Sequence, residues 1–490
     1  MNYILAIDQS TSGTKALLYD ANGHCHDRES KEHRQIYPQP GWVEHDLDEI
    51  WNNLLAIVTA LIGRHPDKTL KCVSITNQRE TICLFERGSG RPLHNAIVWQ
   101  CRRGSEICRN LEEAGHGARV TELTGLRLDT YFSASKLKWL IAQDAGLEAK
   151  LESGEAIIGT IDSYLVHRLT EGQIFATDHT NASRTLLYDI GNLCWDESLC
   201  ELFDVPIAAL PEVRESSARF GETTFEGHLP EPVPIFGVMG DSQASLFAQR
   251  CYEPGTAKIT FGTGSSVLLN IGEALRFSES GSVSTIAWVW QGRPTYSFEG
   301  IINYSAASIA WLKDQLGMLQ SSAEAGPLAA AVPDNGGVYL IPAFAGLSAP
   351  HWKPNARAAI VGLTAHSTRN HIVRAAEESI AYQLHDVLQM MNHDASVSLQ
   401  TIHADGGPTR DAFLMQFTAD LLRIELQVAV VPDCSALGAA MAGMLGCGMR
   451  DTLDELATLP RETTTYSPKM DTATVQHLID SWNDAVPRVF

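Results

Sequence analysis

No stretch of the 490 residues approaches the roughly 18 consecutive apolar residues that a membrane-spanning helix needs, so a bilayer-crossing segment is not expected. Positive charge is also scarce. Lys and Arg number 37 against 58 Asp and Glu, a formal net charge of -21, and so acidic a chain is a poor match for a phosphate backbone. Nucleic acid is therefore not an expected partner. The ten cysteines, from Cys25 to Cys447, form no CxxC pair and no Cys/His ladder at zinc spacing, which fits a reducing cytosol better than a disulfide scaffold. Cys101 and Cys108 read as packing residues. The 17 histidines contain no HExxH arrangement, and no structural metal site is predicted. A P-loop of the form GxxxxGK[ST] is absent, as are a low-complexity linker and a solenoid repeat. The opening residues MNYILAIDQS lack a basic leader region and reach Asp8 at once, so they read as a buried strand, and the expected location is the cytoplasm.

At this length the chain can hold two or three domains, each with its own core. Residues 3–7 are strand-like, the small polar run DQSTSGT at 8–14 reads as a turn, and 16–19 is a second apolar strand. The plan recurs downstream, with strands at 257–261 and 267–271 around the turn GTGSS at 262–266. Two such hairpins about 250 residues apart suggest a duplicated α/β lobe, each turn offering backbone N–H groups to phosphate oxygens across a cleft. Prolines crowd 206–234, and the lobe boundary is placed near 250. The resulting division is an N-terminal lobe at 1–249, a C-terminal lobe at 250–450 and a tail at 451–490 with a final helix. Helices are predicted at 135–143, 371–392 and 436–445, the last from small residues able to pack closely.

Phosphoryl transfer to an alcohol needs a carboxylate for the hydroxyl proton, ligands for Mg²⁺, donors around the phosphates and a polar acceptor pocket. Asp8 and Asp241 both follow apolar strand-like runs and open turns of small residues, where an Asp serves either as a cap or as a site carboxylate. In the string NQRE, Arg79 and Glu80 offer a donor fork and an acceptor, which suit the hydroxyls of a polyol, although on the residues alone a local ion pair is the favoured reading. Gly406 and Gly407 permit close backbone approach, although a glycine pair is also common in turns.

Long strings are similar to the FGGY carbohydrate kinases, and within that family to the glycerol kinases: YPQPGWVEHD, SITNQRET, NAIVWQCRR, YFSASKLKW, TDHTNASRTLL, GVYLIPAFAGLSAPHW, GLTAHSTRNHIVRAAEESIAYQ, DGG with FLMQF, and ALGAA. They run in order from about residue 3 to about residue 450. The resemblance implies two ribonuclease H-like lobes of the actin, Hsp70 and hexokinase type with a catalytic cleft between them. It implies an ATP- and Mg²⁺-dependent kinase acting on a polyol or sugar, and often a dimer or tetramer. By the same resemblance Asp241 would be the general base and would share Mg²⁺ with Asp8. Thr11, Ser12 and Lys15 would meet the phosphates from the first hairpin, and Thr263 and Gly264 from the second. Gly407 and Asp411 would lie at the nucleotide. Arg79, Glu80, Trp99 and Tyr131 would hold the acceptor.

Several positions depart from the glycerol kinase pattern. Ser242 stands in place of Gln and Ser266 in place of a bulky Phe, which removes volume where the far end of the acceptor would lie. A four- or five-carbon acceptor is therefore expected, with glycerol as the alternative. Ser10 replaces Gly, Lys15 replaces Arg and loses its fork, and Ala306, Ala310 and Asp411 replace Gly, Gln and Asn near the adenine, which opens the question of purine selectivity. The rival class, a non-catalytic nucleotide-switched module, would have no use for the acceptor cluster.

Overall fold

The structure, a computed structural model, describes residues 2–347, 350, 351, 353, 355–430 and 433–490; Ser348, Ala349 and Trp352 of the string at 337–352 lie outside the described residues. The first apolar run forms β1 (Asn2–Gln9), followed by β2 (Gly13–Asp20) and β3 (Cys25–Glu32). Later segments add β4 (Thr69–Asn77), β5 (Arg219–Thr223) and β6 (Val233–Gly240), giving a six-stranded sheet of order β5-β6-β4-β1-β2-β3.

A second sheet is built from β7 (Thr256–Phe261), β8 (Ser265–Gly272), β9 (Val283–Trp290), β10 (Arg293–Ile302), β11 (Thr401–Asp405), β12 (Leu426–Ala429) and β13 (Thr463–Tyr466), in the order β9-β10-β8-β7-β11-β12-β13. Read from β3, the first sheet runs β3-β2-β1-β4-β6-β5. Read from β10, the second runs β10-β8-β7-β11-β12-β13. Each places a hairpin and an antiparallel neighbour on one side of a central strand, and two parallel strands with an antiparallel edge on the other. The two hairpins of the sequence are thus the seeds of two topologically equivalent lobes.

The first hairpin is tighter than its small residues suggest. Its ladder continues through Asp8 and Gln9, paired with Lys15 and Thr14, so Asp8 is a strand residue and not part of the turn. The turn proper is Ser10–Gly13, where the Ser10 N–H and hydroxyl both donate to the Gly13 carbonyl at 3.0 and 2.9 Å. Strand alternation then sorts the side chains. Tyr3, Leu5 and Ile7 enter a core with Ile50, Leu54 and Leu61 of the helix Leu47–Gly63, whereas Ile4 and Ala6 enter the core between the lobes. Asp8 follows on that second face.

Two short helices occupy the space between the sheets. Asp241–Ala248 continues from β6 and packs toward the second sheet, while Cys434–Gly446 crosses back to lie on β1, β4 and β6. They touch each other closely. A Cβ on Gly438 would sit 1.8 Å from the Ala244 carbonyl oxygen, and one on Gly237 would sit 2.3 Å from that of Ala439. Small residues at 434–446 are what allow this contact. The 27-residue helix Arg369–Ala395 backs the second sheet through Val373, Ala376, Ile380, Leu384 and Val387, and its start is fixed by a capping box between Thr368 and His371. After β13 the helix Thr472–Ala485 docks by stacking Trp482 on Tyr382 at 5.0 Å, and the Trp482 indole donates to Asp386 Oδ2 at 2.9 Å. Among the described residues no helix is long and apolar enough to cross a membrane.

Candidate active site

Arg79 and Glu80 leave the end of β4 and turn back into the space between the lobes. Glu80 adopts φ 62°, a left-handed conformation that an L side chain occupies only when its surroundings hold it there. Its Oε1 accepts from Arg184 Nε at 2.7 Å. Arg184 Nη2 lies 2.6 Å from Glu299 Oε2, and Arg79 Nη2 donates to Glu299 Oε1 at 2.8 Å. Arg79 Nε reaches Asp241 Oδ1 at 3.2 Å, and its Nη1 donates to Gln243 Oε1 at 3.2 Å. The result is a chain of alternating charges, Glu80, Arg184, Glu299, Arg79 and Asp241. The first four are buried, while the Asp241 side chain is 36% exposed.

Burial of charges this completely is tolerable only when they are paired. Burial would raise the Glu299 carboxyl, but the Arg184 and Arg79 guanidiniums outweigh it and bring it down to about 2. Glu80 goes the other way, because burial exceeds the pull of the same two arginines and raises it. Trp99 and Tyr131 form the adjoining aromatic wall, with ring centres 5.2 Å apart. Burial first, and the Glu80 charge second, raise the Tyr131 phenol. Lys136 is buried in the helix Ala134–Gln143 and donates to the carbonyls of Thr130 and Tyr131 at 2.9 and 3.1 Å, which fixes that wall.

A second set of charges lies near Asp241, whose charge acts on Asp8. Lys15 Nζ lies 2.9 Å from Asp433 Oδ1 and 3.6 Å from Asp8 Oδ2, and Arg28 Nη1 lies 2.9 Å from Asp433 Oδ2. Asp8 is 7% exposed. Burial raises its carboxyl to about 6; Lys15 opposes the shift, and the Asp241 and Asp433 charges add to it. Thr11 accepts the Trp99 indole N–H on Oγ1 at 3.0 Å, linking the first turn to the aromatic wall, and Ser12 beside it is exposed.

The second turn faces the same region. Gly406 at φ 105° brings the loop after β11 so close that a Cβ there would sit 1.9 Å from the Phe261 carbonyl oxygen. Gly407 follows directly, and open space lies over its Cα. The Thr263 carbonyl accepts the N–H groups of Ser305 and Ala307 at 2.9 and 3.1 Å. Beyond lies a cleft of about 680 Å³ whose lining includes Ala306, Ile309, Ile380, Gly407 and Asp411. Asp411 also caps the helix Ala412–Leu422, its Oδ1 accepting from the Phe413 and Leu414 N–H groups at 2.9 and 3.1 Å.

Of the positions singled out in the sequence, Arg79, Glu80 and Asp241 form one connected network, and Trp99, Tyr131 and Thr11 adjoin it. Asp8 and Lys15 form the second cluster. Gly407 and Asp411 line the cleft of the second lobe, and Thr263 is tied through its carbonyl to Ala307, next to the lining residue Ala306. On β8, Val267 and Leu269 enter the core of the second lobe and Leu268 the core between the lobes with Ala244. By alternation Ser266 shares the face of Leu268, toward the helix that begins with Asp241 and Ser242. Arg184, Glu299, Lys136 and Asp433 were not singled out. Arg184 does lie inside TDHTNASRTLL, and Glu299 is a carboxylate set between Phe298 and the run 300–302 of β10; both are signals that a close reading can use.

Residues 3–248 match the family model for the N-terminal domain of the FGGY family of carbohydrate kinases, and residues 257–447 match the model for its C-terminal domain. The chain belongs to the FGGY family of carbohydrate kinases. Glycerol kinase 1 of Thermotoga maritima is 43% identical over 489 residues, covering 99% of each chain. A glycerol kinase of Halorhodospira halophila is 45% identical over 491 residues, covering 99% of this chain and 96% of that one. The crystal structure of Plasmodium falciparum glycerol kinase with ADP superposes with a TM-score of 0.96 at 36% identity, covering 100% of this chain and 98% of that one. A xylulose kinase from Lactobacillus acidophilus shares the fold, with a TM-score of 0.89 at 20% identity and coverage of 100% and 97%. This FGGY chain therefore has the two-lobed actin- and hexokinase-like architecture, and its class of reaction is ATP-dependent phosphorylation of a sugar or polyol.

Proposed function

We propose that this FGGY kinase phosphorylates a hydroxyl of a polyol or sugar longer than glycerol, with Asp241 as the general base. The observation that carries the reading is the setting of Asp241. Its Oδ1 is held by Arg79 Nε at 3.2 Å and by the Ser242 N–H at 2.6 Å, while the carboxylate stays open to a ligand. In the reaction Asp241 accepts the acceptor's hydroxyl proton as the oxygen attacks the γ-phosphorus. The bond from that phosphorus to the β–γ bridging oxygen breaks, and ADP leaves. Arg79 and Glu80 pair with neighbouring hydroxyls, and Trp99 and Tyr131 cover the carbon chain. Thr11, Ser12, Lys15, Thr263 and Gly264 meet the phosphates, and Gly407 and Asp411 adjoin the nucleotide. The acceptor is thereby assigned to the lobe at 1–249 and the nucleotide to the lobe at 250–450.

Mg²⁺ fits this arrangement. Among the described residues no group of three or more His, Cys, Asp or Glu side chains converges on a cation. Asp8 on β1 and Asp241 just after β6, strands of one sheet, repel each other, and Lys15 offsets only part of the burial of Asp8. Mg²⁺ is commonly held by one or two carboxylates together with substrate phosphates and water, so these two residues would hold it. When bound it would neutralise charge on the transferring phosphoryl group.

The reading of substrate length rests on two short residues, Ser242 at the start of the helix Asp241–Ala248 and Ser266 on the face of β8 that it shares with Leu268. A small acceptor would leave polar groups there unpaired, and a longer one would meet them. ADP release should be followed by a coupled assay at fixed MgATP, with glycerol, erythritol, D- and L-threitol, pentitols and ketopentoses as acceptors. A four- or five-carbon acceptor should give the highest kcat/KM. If glycerol wins by a wide margin, the space at Ser242 and Ser266 has been refilled by neighbours and the longer acceptor is refuted.

A further inference from the structure

The cleft assigned to the nucleotide holds an acid that catalysis does not use. Glu377, on the helix Arg369–Ala395, lines this cleft, is 3% exposed, and its Oε2 has no hydrogen-bond partner among the described residues. Its neighbour Glu378 shows what a structural glutamate looks like on the same helix. Glu378 Oε1 accepts from Arg374 Nε at 2.7 Å, and its Oε2 accepts from Asn335 Nδ2 at 3.0 Å. Around Glu377 the lining is largely apolar, with Ile309, Ala330, Ile380 and Leu414.

Asp411 opens onto the same cleft. Burial first, and the Asp411 charge second, raise the Glu377 carboxyl well above the ordinary range, toward its protonated form. A neutral carboxyl presents an O–H donor beside a C=O acceptor. Buried in an apolar wall, both groups need partners, and the cleft is where they can come from. Adenine offers the complement, a ring-nitrogen acceptor next to an exocyclic amino donor.

We propose that Glu377 reads the base of the bound nucleotide, donating its carboxyl proton to the ring nitrogen N1 of adenine and accepting from the adjacent 6-amino group. The inference rests on the assignment of this cleft to the nucleotide base.

The test is a binding measurement on the full chain with no acceptor present, so that neither acceptor identity nor turnover enters. Titration calorimetry compares MgADP with the Mg²⁺ complex of purine riboside 5′-diphosphate, which lacks the 6-amino group. The wild type should bind ADP about tenfold more tightly, the worth of one buried hydrogen bond. E377L should bind the two alike, with its melting temperature confirming the fold. E377Q, whose amide keeps one donor and one acceptor, should restore the preference. If E377L keeps the wild-type ratio, or weakens both ligands equally, Glu377 does not read the base. A306W, which fills the cleft, separates the two failures. If ADP binding survives in A306W, the assignment of the cleft itself falls and this inference falls with it.

Discussion

Replacing Asp8 by Asn should stabilise the ligand-free protein while removing its catalysis. Asp8 is buried between the lobes, and folding raises its carboxyl from 3.8 to about 6, chiefly through burial, with Lys15 opposing and the Asp241 and Asp433 charges adding. One unit corresponds to about 1.4 kcal/mol, so ionised Asp8 costs the fold about 3 kcal/mol. The sign follows from linkage. A raised acid binds its proton more tightly in the folded state than in the unfolded one, so the cost is absent below pH 3.8, grows between 3.8 and about 6, and is constant above that. Asparagine keeps the shape without the charge. At roughly 2.1 cal/mol/K per residue the unfolding entropy of a chain this long is about 1 kcal/mol/K, so the gain is worth about 3 °C in Tm. Thermal melts of wild type and D8N in EDTA, from pH 4 to 8, should show D8N higher by that amount at pH 8 and the gap closing at pH 4. MgADP should stabilise the wild type more than D8N, because the metal supplies the counter-charge that Asp8 lacks. A D8N protein no more stable than wild type at pH 8, or a gap that widens as the pH falls, would refute the reasoning.

D241N should lower kcat by a factor of about 10²–10⁴, the usual contribution of a general base, and leave the Kd for ADP measured in EDTA within about twofold in calorimetry. R184A leaves Glu80 and Glu299 buried without one of their two guanidinium partners, and should cost about 3–5 kcal/mol in denaturant melts along with loss of acceptor binding. G438A sets two effects against each other. Gly to Ala inside a helix ordinarily gains about 1 kcal/mol, but here the new methyl would meet the Ala244 carbonyl at 1.8 Å. Overpacking of this kind costs about 1–3 kcal/mol or more, so the net effect is a lower Tm and weaker nucleotide binding as the two inter-lobe helices separate.

The parts of the site that could be read in advance are those whose signal is local. Asp8 and Asp241 each follow an apolar strand-like run, and Arg79 and Glu80 follow another. Alternation alone places Asp8 on the face of Ile4 and Ala6. The same logic holds on β11, where Ile402 and Ala404 enter the lobe core and Asp405, on the opposite face, accepts from Ser245 Oγ at 2.7 Å. On both strands the last residue is or adjoins a carboxylate on the side that meets the helices between the sheets. What could not be read is the pairing of charges across long separations. Arg184 meets Glu80 from 104 residues away, Arg79 meets Glu299 from 220, and Lys15 meets Asp433 from 418. Nothing local in those segments says which charge neutralises which, because compensation is decided only when two lobes close on each other. Glu377 and Glu378 make the limit plainest. They are adjacent and chemically identical, yet one is satisfied by Arg374 and Asn335 while the other faces a cleft, and a rotation of about 100° along the helix is the whole difference. The residues that hold this fold together and those that give it specificity are therefore drawn from the same alphabet, and it is the presence or absence of a partner that separates them.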